Sequence, residues 1–257
     1  MDSVTTSSLL YLFSHPTRLP LQTVDLIAPE PETSVLVVAP HPDDETLGCG
    51  GAIALLRALG CSVRVLVMSD GTLSHPRSLK YPPAQLRALR ESETLEALNT
   101  LNVNPTETTF LRLPDGSVPT PKSPDAEPVI ARCQAYLQTV NPAIVFLPWR
   151  FDPHPDHRAT WQLMTATLSA LNHLVRIIEY PIWDWDIEQR GDFFEYKRIT
   201  AWRLDIEAVL ATKLKAIAAY RSQTTNLIDD DPDGFQLTSD MLKNFARPWE
   251  LYLEETR

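Results

Sequence analysis

Ser34-Val35-Leu36-Val37-Val38-Ala39-Pro40-His41-Pro42-Asp43-Asp44-Glu45 joins an apolar run directly to a cluster of ionisable side chains. The first half is almost continuously apolar and β-branched. That is how a strand buried on both faces of a parallel sheet reads, because neither face needs polar residues. The second half holds a histidine and three carboxylates just where such a strand must end. Leu47 to Leu59 follows as a helix and Ser62 to Met68 as a second strand, which makes a β-α-β unit.

The alternation continues outward from this unit. The pattern predicts a helix from Pro83 to Leu101, a strand from Thr108 to Leu113 and a loop from Pro114 to Pro128. A helix from Val129 to Val140, a strand from Ala143 to Trp149 and a helix from His157 to His173 come next. Strands are expected over Val175–Trp183 and Tyr196–Leu204, then helices over Ile206–Arg221 and Ser239–Phe245. Strands alternating with helices imply an α/β fold, Rossmann-like, with a mostly parallel sheet flanked by helices. No internal repeat or boundary divides the chain. We therefore expect one α/β domain over residues 1–257, with 1–33 as a lead-in and 225–257 as a tail.

Composition narrows the function classes. A net charge of −10, with no basic cluster, argues against gripping a phosphate backbone, so no nucleic-acid partner is expected. No apolar run approaches the ~18 residues of a membrane span. Cys49, Cys61 and Cys133 form no close pair, which suggests reduced thiols and a cytoplasmic protein.

A second ionisable cluster, Phe151-Asp152-Pro153-His154-Pro155-Asp156-His157, also follows a predicted strand. In open parallel sheets ligands bind outside the carboxyl ends of the strands, so the two clusters should meet there. Either one alone reads slightly better as a loop with a helix cap, since Asp caps helices well. Two of them, both rich in histidine, point to a metal hydrolase. Zinc takes imidazole and carboxylate ligands, and a catalytic site keeps three of them and an open position. His41, Asp44 and His157 can supply the three. Asp43 can take a proton from water, His154 can donate to an oxyanion or a leaving amine, and Asp156 can orient that imidazole.

The paired motifs resemble those of the PIG-L/LmbE-like de-N-acetylase superfamily, whose first motif has the form A-H-P-D-D-E and whose second has the form H-P-D-H. Here Pro40 precedes the histidine of the first motif, and the second is complete over His154–His157. The resemblance, over residues 34–225, implies zinc on His41, Asp44 and His157, Asp43 as general base, His154 stabilising the tetrahedral intermediate and Asp156 supporting it. It implies a small N-acylated, amino-sugar-like substrate. Some members carry a tyrosine two residues before the second motif; Asp152 stands there instead.

Other residues are weaker candidates. Asp70, at the end of the second strand, Arg90 on the following helix and Trp149 at a strand end are read as substrate-binding. Trp183 and Trp185 also offer rings for a sugar. Arg90 and Glu93 can equally pair on a helix surface. Gly48, Gly50 and Gly51 lack dinucleotide-loop spacing and read as sites of close packing. His75, Arg150, Arg158 and Ser222-Gln223 can line a site or serve structure, and Asp229–Asp233 reads as a solvated loop. The stretch 71–83 and the loop 114–128 are expected to set selectivity. Two other functions fit the clusters: a two-metal phosphoesterase, and a sugar- or nucleotide-binding protein without catalysis.

Overall fold

The computed structural model describes residues 33–171, 175–184 and 199–255. The lead-in expected over 1–33 (all but Thr33), the end of the helix expected to reach His173, Trp185 and the start of the strand expected from Tyr196 lie outside the described residues. Seven strands form one mixed sheet: β1 (Ser34–Ala39), β2 (Ser62–Ser69), β3 (Thr108–Leu113), β4 (Ile144–Pro148), β5 (Arg176–Tyr180), β6 (Ile199–Asp205) and β7 (Trp249–Glu255). Their order is β3-β2-β1-β4-β5-β7-β6. The first five pair in parallel; β7 runs antiparallel to both β5 and β6. This is the mostly parallel, helix-flanked α/β sheet expected. Strand β7 was expected as tail.

The helices are α1 (Asp44–Ala58), α2 (Pro83–Thr100), α3 (Ala126–Val140), α4 (Pro155–Ala170), α5 (Leu210–Ile217), α6 (Arg221–Thr224) and α7 (Ser239–Phe245). Alternation along β1 sorts them into two layers. Val35, Val37 and Ala39 pack with α1, α2 and α5, while Leu36 and Val38 pack with α3 and α4. Both faces of β1 are therefore core, which explains its unbroken apolar reading.

The helix expected over 157–173 runs Pro155–Ala170 and the strand expected over 175–183 ends at Tyr180; three further boundaries differ as well. Helix α1 starts at Asp44, because the motif's own carboxylates occupy its first turn. Helix α3 takes in Pro128, which the first helical turn tolerates. The helix expected over 206–221 breaks after Ile217 and restarts at Arg221, which turns Tyr220 inward to donate its hydroxyl to Glu45. The glycines of α1 do serve close packing: a Cβ on Gly48 would lie 2.8 Å from Tyr180 Cε2. No described helix is long and apolar enough to cross a membrane.

Strand order reverses between β1 and β4, which are neighbours. Their carboxyl ends carry the two ionisable clusters. The crevice at such a switch point is where open α/β sheets bind ligands.

Candidate metal centre

Two tight turns bring the clusters together. After β1, the chain turns through Pro40 to Asp43, and the Asp44 carboxylate accepts the His41 backbone N–H at 3.0 Å. After β4, His154 caps α4, with Pro155 in its first turn and His154 Nδ1 accepting from Asp156 N at 3.2 Å. His157 thereby sits in the first turn of α4, fully buried and facing β1's loop.

Three donor atoms converge there. His41 Nδ1 lies 3.1 Å from Asp44 Oδ2, His157 Nε2 lies 3.2 Å from that same oxygen, and the two ring nitrogens are 3.3 Å apart. Ligands of a tetrahedral zinc at 2.0–2.1 Å stand roughly 3.3 Å apart, so this triangle fits a metal ion. The His154 ring stands edge-on to His41 at 4.7 Å, and an atom of it lies within 4.8 Å of both other histidines. A second group, His41 with Asp115 and Asp156, lies on the far side of the His41 ring at Nε2, 3.3 and 3.2 Å away. The first triangle is the better cation seat. Asp156 already spends its carboxylate on the N–H groups of Gly116 and Val118, and Asp115 on that of Leu73. These two carboxylates instead engage His41 Nε2, which turns Nδ1 toward Asp44 Oδ2 and His157 Nε2.

Asp156 thus departs from its expected role. Its carboxylate meets His41, not the His154 ring, because its backbone N–H is what reaches His154 Nδ1. With Nδ1 accepting, the neutral His154 ring carries its proton on Nε2.

The charges follow from burial among carboxylates. Burial favours a neutral His41, yet Asp115, Asp156 and Asp44 hold its pKa well above the ordinary value. His157 is pushed up to about 9, as Asp152 and Asp44 outweigh its burial. Asp44, between both rings, stays well below the usual carboxylate range despite burial. His154 is brought down to about 4 by burial and by the neighbouring His41 and His157. Burial pushes Asp43 up to about 8 against the lowering effect of Arg90.

Asp43 is also strained. It takes φ 118° at the N-cap of α1, yet its side chain makes no cap bond. A residue other than glycine there costs about 1–3 kcal/mol and persists only when its surroundings hold it. Here Asp43 N donates to Glu45 Oε2 at 3.2 Å, Asp43 O accepts from Thr46 and Leu47, and Arg90 grips the carboxylate at 3.1 Å.

Arg90, expected as a substrate contact, has its guanidinium turned into the protein onto Asp43. It is buried, and its guanidinium also bonds the carbonyls of Gly71 and Pro42. Gly71 (φ +65°) must lack a side chain, since a Cβ would lie 3.0 Å from both Arg90 Cζ and Pro42 Cδ. Glu93 does not pair with Arg90; it accepts from Ser222 N and Oγ, tying α2 to α6. Asp70 shapes its own loop, accepting from Thr72 N and Oγ1 and from Asp115 N. Trp149 is 1% exposed, packed with Ile199, Ala201, Leu251 and Leu253, so its ring has no open face for a sugar. His75 is buried beside Ser74, and Arg150 pairs with Glu179 and Glu255. The acidic stretch is no free loop: Asp230 accepts from Ser78 Oγ, Leu79 N and Lys80 N, and Arg77 pairs with Asp231 and Asp233. The sequence alone assigns no role to Asp115, Tyr220 or the motif's own Glu45, though Asp115 lies in the loop suspected of function.

Residues 36–168 match the family model of PIG-L, the GlcNAc-PI de-N-acetylases. The chain belongs to that family. It is a metal-dependent amidohydrolase of the de-N-acetylase type. It is 27% identical over 203 residues to the probable N-acetyl-alpha-D-glucosaminyl L-malate deacetylase 2 of Bacillus cereus, covering 77% of this chain and 87% of that protein. It is 27% identical over 197 residues to the diacetylchitobiose deacetylase of Thermococcus kodakarensis, covering 74% and 69%. The N,N'-diacetylchitobiose deacetylase from Pyrococcus horikoshii shares the fold, with a TM-score of 0.64 at 24% identity over 98% of this chain and 92% of that one.

Proposed function

We propose that this de-N-acetylase binds one zinc ion on His41 Nδ1, Asp44 and His157 Nε2, and hydrolyses the acetamide of a small N-acetylglucosamine-containing molecule. The triangle of donor atoms, with sides of 3.1, 3.2 and 3.3 Å, carries this reading. Zinc held by these residues would supply Lewis acidity toward an amide carbonyl and lower the pKa of a bound water toward neutral. A phosphoesterase of the two-metal kind needs a second seat, and the second group of ligands has its carboxylates committed to backbone N–H groups.

The chain's own residues do the rest. Asp43 takes a proton from the attacking water and returns it to the departing nitrogen. A carboxyl brought toward neutral pH by burial suits both halves of that transfer. His154 is neutral at pH 7 and offers its Nε2–H to the oxygen that gains charge. Asp115 and Asp156 keep the proton of His41 on Nε2. The products are acetate and a free amine. The loops around Leu73 and Gly116, which meet through the Leu73–Asp115 bond, form the wall that selects the rest of the substrate. The three buried, unpaired cysteines suit a reducing, cytoplasmic setting.

The test is amine and acetate release by the zinc-loaded protein from N-acetylglucosaminyl malate, diacetylchitobiose and related N-acetylated sugars. We expect turnover on at least one, lowered about 10²–10⁴-fold in Asp43→Asn. No release from any of them would contradict the proposal.

A further inference from the structure

Asp152 occupies a position that the reaction just described leaves without a task. Its side chain is fully buried. Oδ1 accepts from His154 N at 2.9 Å and faces His157 Nδ1 at 3.3 Å; Oδ2 accepts from Ile182 N at 3.3 Å and Trp183 N at 3.1 Å. The contact with His157 is at ion-pair distance without a fully aligned hydrogen bond. One carboxylate thus ties together the end of β4, the start of α4 and the turn after β5.

We infer that Asp152 is a positioning residue for the metal centre, holding the His157 proton on Nδ1 so that Nε2 faces the Asp44 oxygen and His41 Nδ1 as a bare donor. This rests on the zinc site proposed above. An imidazole ligates through one nitrogen, and the partner of the other nitrogen decides which one. His41 has Asp115 and Asp156 on its non-ligating nitrogen; His157 has Asp152 on its own. The two rings are set in opposite tautomers, one ligating through Nδ1 and one through Nε2. Through its bond to His154 N, the same carboxylate also fixes the backbone of the residue that faces the oxyanion.

A purely structural role is the competing account, since three backbone N–H groups already occupy the carboxylate. Asp152→Asn separates the two. An amide has one oxygen. If that oxygen stays on Ile182 and Trp183, the NH2 faces His157 Nδ1 and favours the tautomer with its proton on Nε2, the ligating atom. An Asp→Asn change beside a catalytic histidine is known to select the wrong tautomer in this way. If the oxygen turns to His157, the two N–H groups lose their acceptor, and the ring still loses a negative charge.

The experiment is zinc affinity of the full chain, by competition with a chelator, for the parent and for Asp152→Asn shown to be folded by circular dichroism. We expect about one zinc per chain in the parent and a 10–100-fold weaker affinity in the variant. Equal affinity within twofold would overturn the inference while leaving the zinc site standing. A parent that takes up no zinc overturns both. Should Asp152→Asn fail to fold, the parent decides: ring-nitrogen spectra of the cadmium-113-loaded, 15N-histidine-labelled protein should show His157 coupled through Nε2 and protonated at Nδ1. An unprotonated His157 Nδ1 there would overturn the inference.

Discussion

Arg90→Met separates the structural placement of Arg90 from the substrate-binding role its sequence suggests. The substitution keeps length and removes the guanidinium that lies 3.1 Å from Asp43 Oδ2, with both side chains buried. Removing the guanidinium leaves the buried carbonyls of Gly71 and Pro42 and the Asp43 carboxyl without their donor, a loss of about 3–5 kcal/mol in all. At about 2–4 °C per kcal/mol for a domain of this size, Tm should fall by roughly 6–20 °C. The kinetic effect has a definite sign. Arg90 lowers the Asp43 pKa against burial, so its removal raises that pKa, by about one to three pH units. A base acts when deprotonated. The acid limb of the kcat/KM profile should therefore move to higher pH by that amount, with KM nearly unchanged. Arg90→Lys should keep part of the charge effect while losing the bonds to Gly71 and Pro42, so its limb should lie between the two. A folded Arg90→Met whose limb stays in place while KM rises tenfold would refute this and return Arg90 to the substrate.

Other consequences follow from the same contacts. Gly48→Ala pushes a methyl group into the Tyr180 ring, whose hydroxyl is fixed on Val38 O at 2.7 Å; we expect a loss of about 1–3 kcal/mol in urea unfolding. Asp230→Ala removes the acceptor of Leu79 N and Lys80 N, both at 2.8 Å, and should speed hydrogen exchange at those two amides, leaving the sheet's exchange as it was. Zinc uptake should tighten with pH. In the apo protein the His157 pKa is raised to about 9, so its charged form stabilises the fold fully below pH ~6.5 and that contribution is lost as pH rises through 9. Zinc needs the neutral ring, so from this group alone affinity should rise about tenfold per pH unit between 7 and 9, read by calorimetry in buffers of different ionisation enthalpy. A flat affinity over that range would mean that His157 gives up no proton to the metal.

The parts of the fold that were legible in the sequence are those whose local and global demands agree. Strands β1 and β4, and β2 from Val65 onward, are buried on both faces, so their apolar runs could be read as strands without knowing their neighbours. The meeting of the two clusters was legible for the same reason: His41, Asp44 and His157 lie just past strand ends, and a parallel sheet brings those ends together. Strand β7 was missed because Glu250, Glu254 and Glu255 made it look like a tail. The structure buries Glu250 against Lys213 Nζ at 2.7 Å and against the N–H groups of Gly51 and Ala52, which a linear pattern cannot reveal. Trp149 misled in the opposite direction, since a tryptophan at a strand end looks like a sugar platform until β6 and β7 are seen to cover it. Asp156 and Asp152 were read by their neighbours in sequence. Their carboxylates lie beside histidines that only the fold, or the α4 turn, brings within reach.

The most direct test of the account is anomalous X-ray scattering at the zinc edge from crystals of the zinc-loaded protein. We predict a single strong peak within bonding distance of His41 Nδ1, Asp44 Oδ2 and His157 Nε2. A peak at His41 Nε2 between Asp115 and Asp156, with none at the first position, would contradict the metal assignment and the roles built on it.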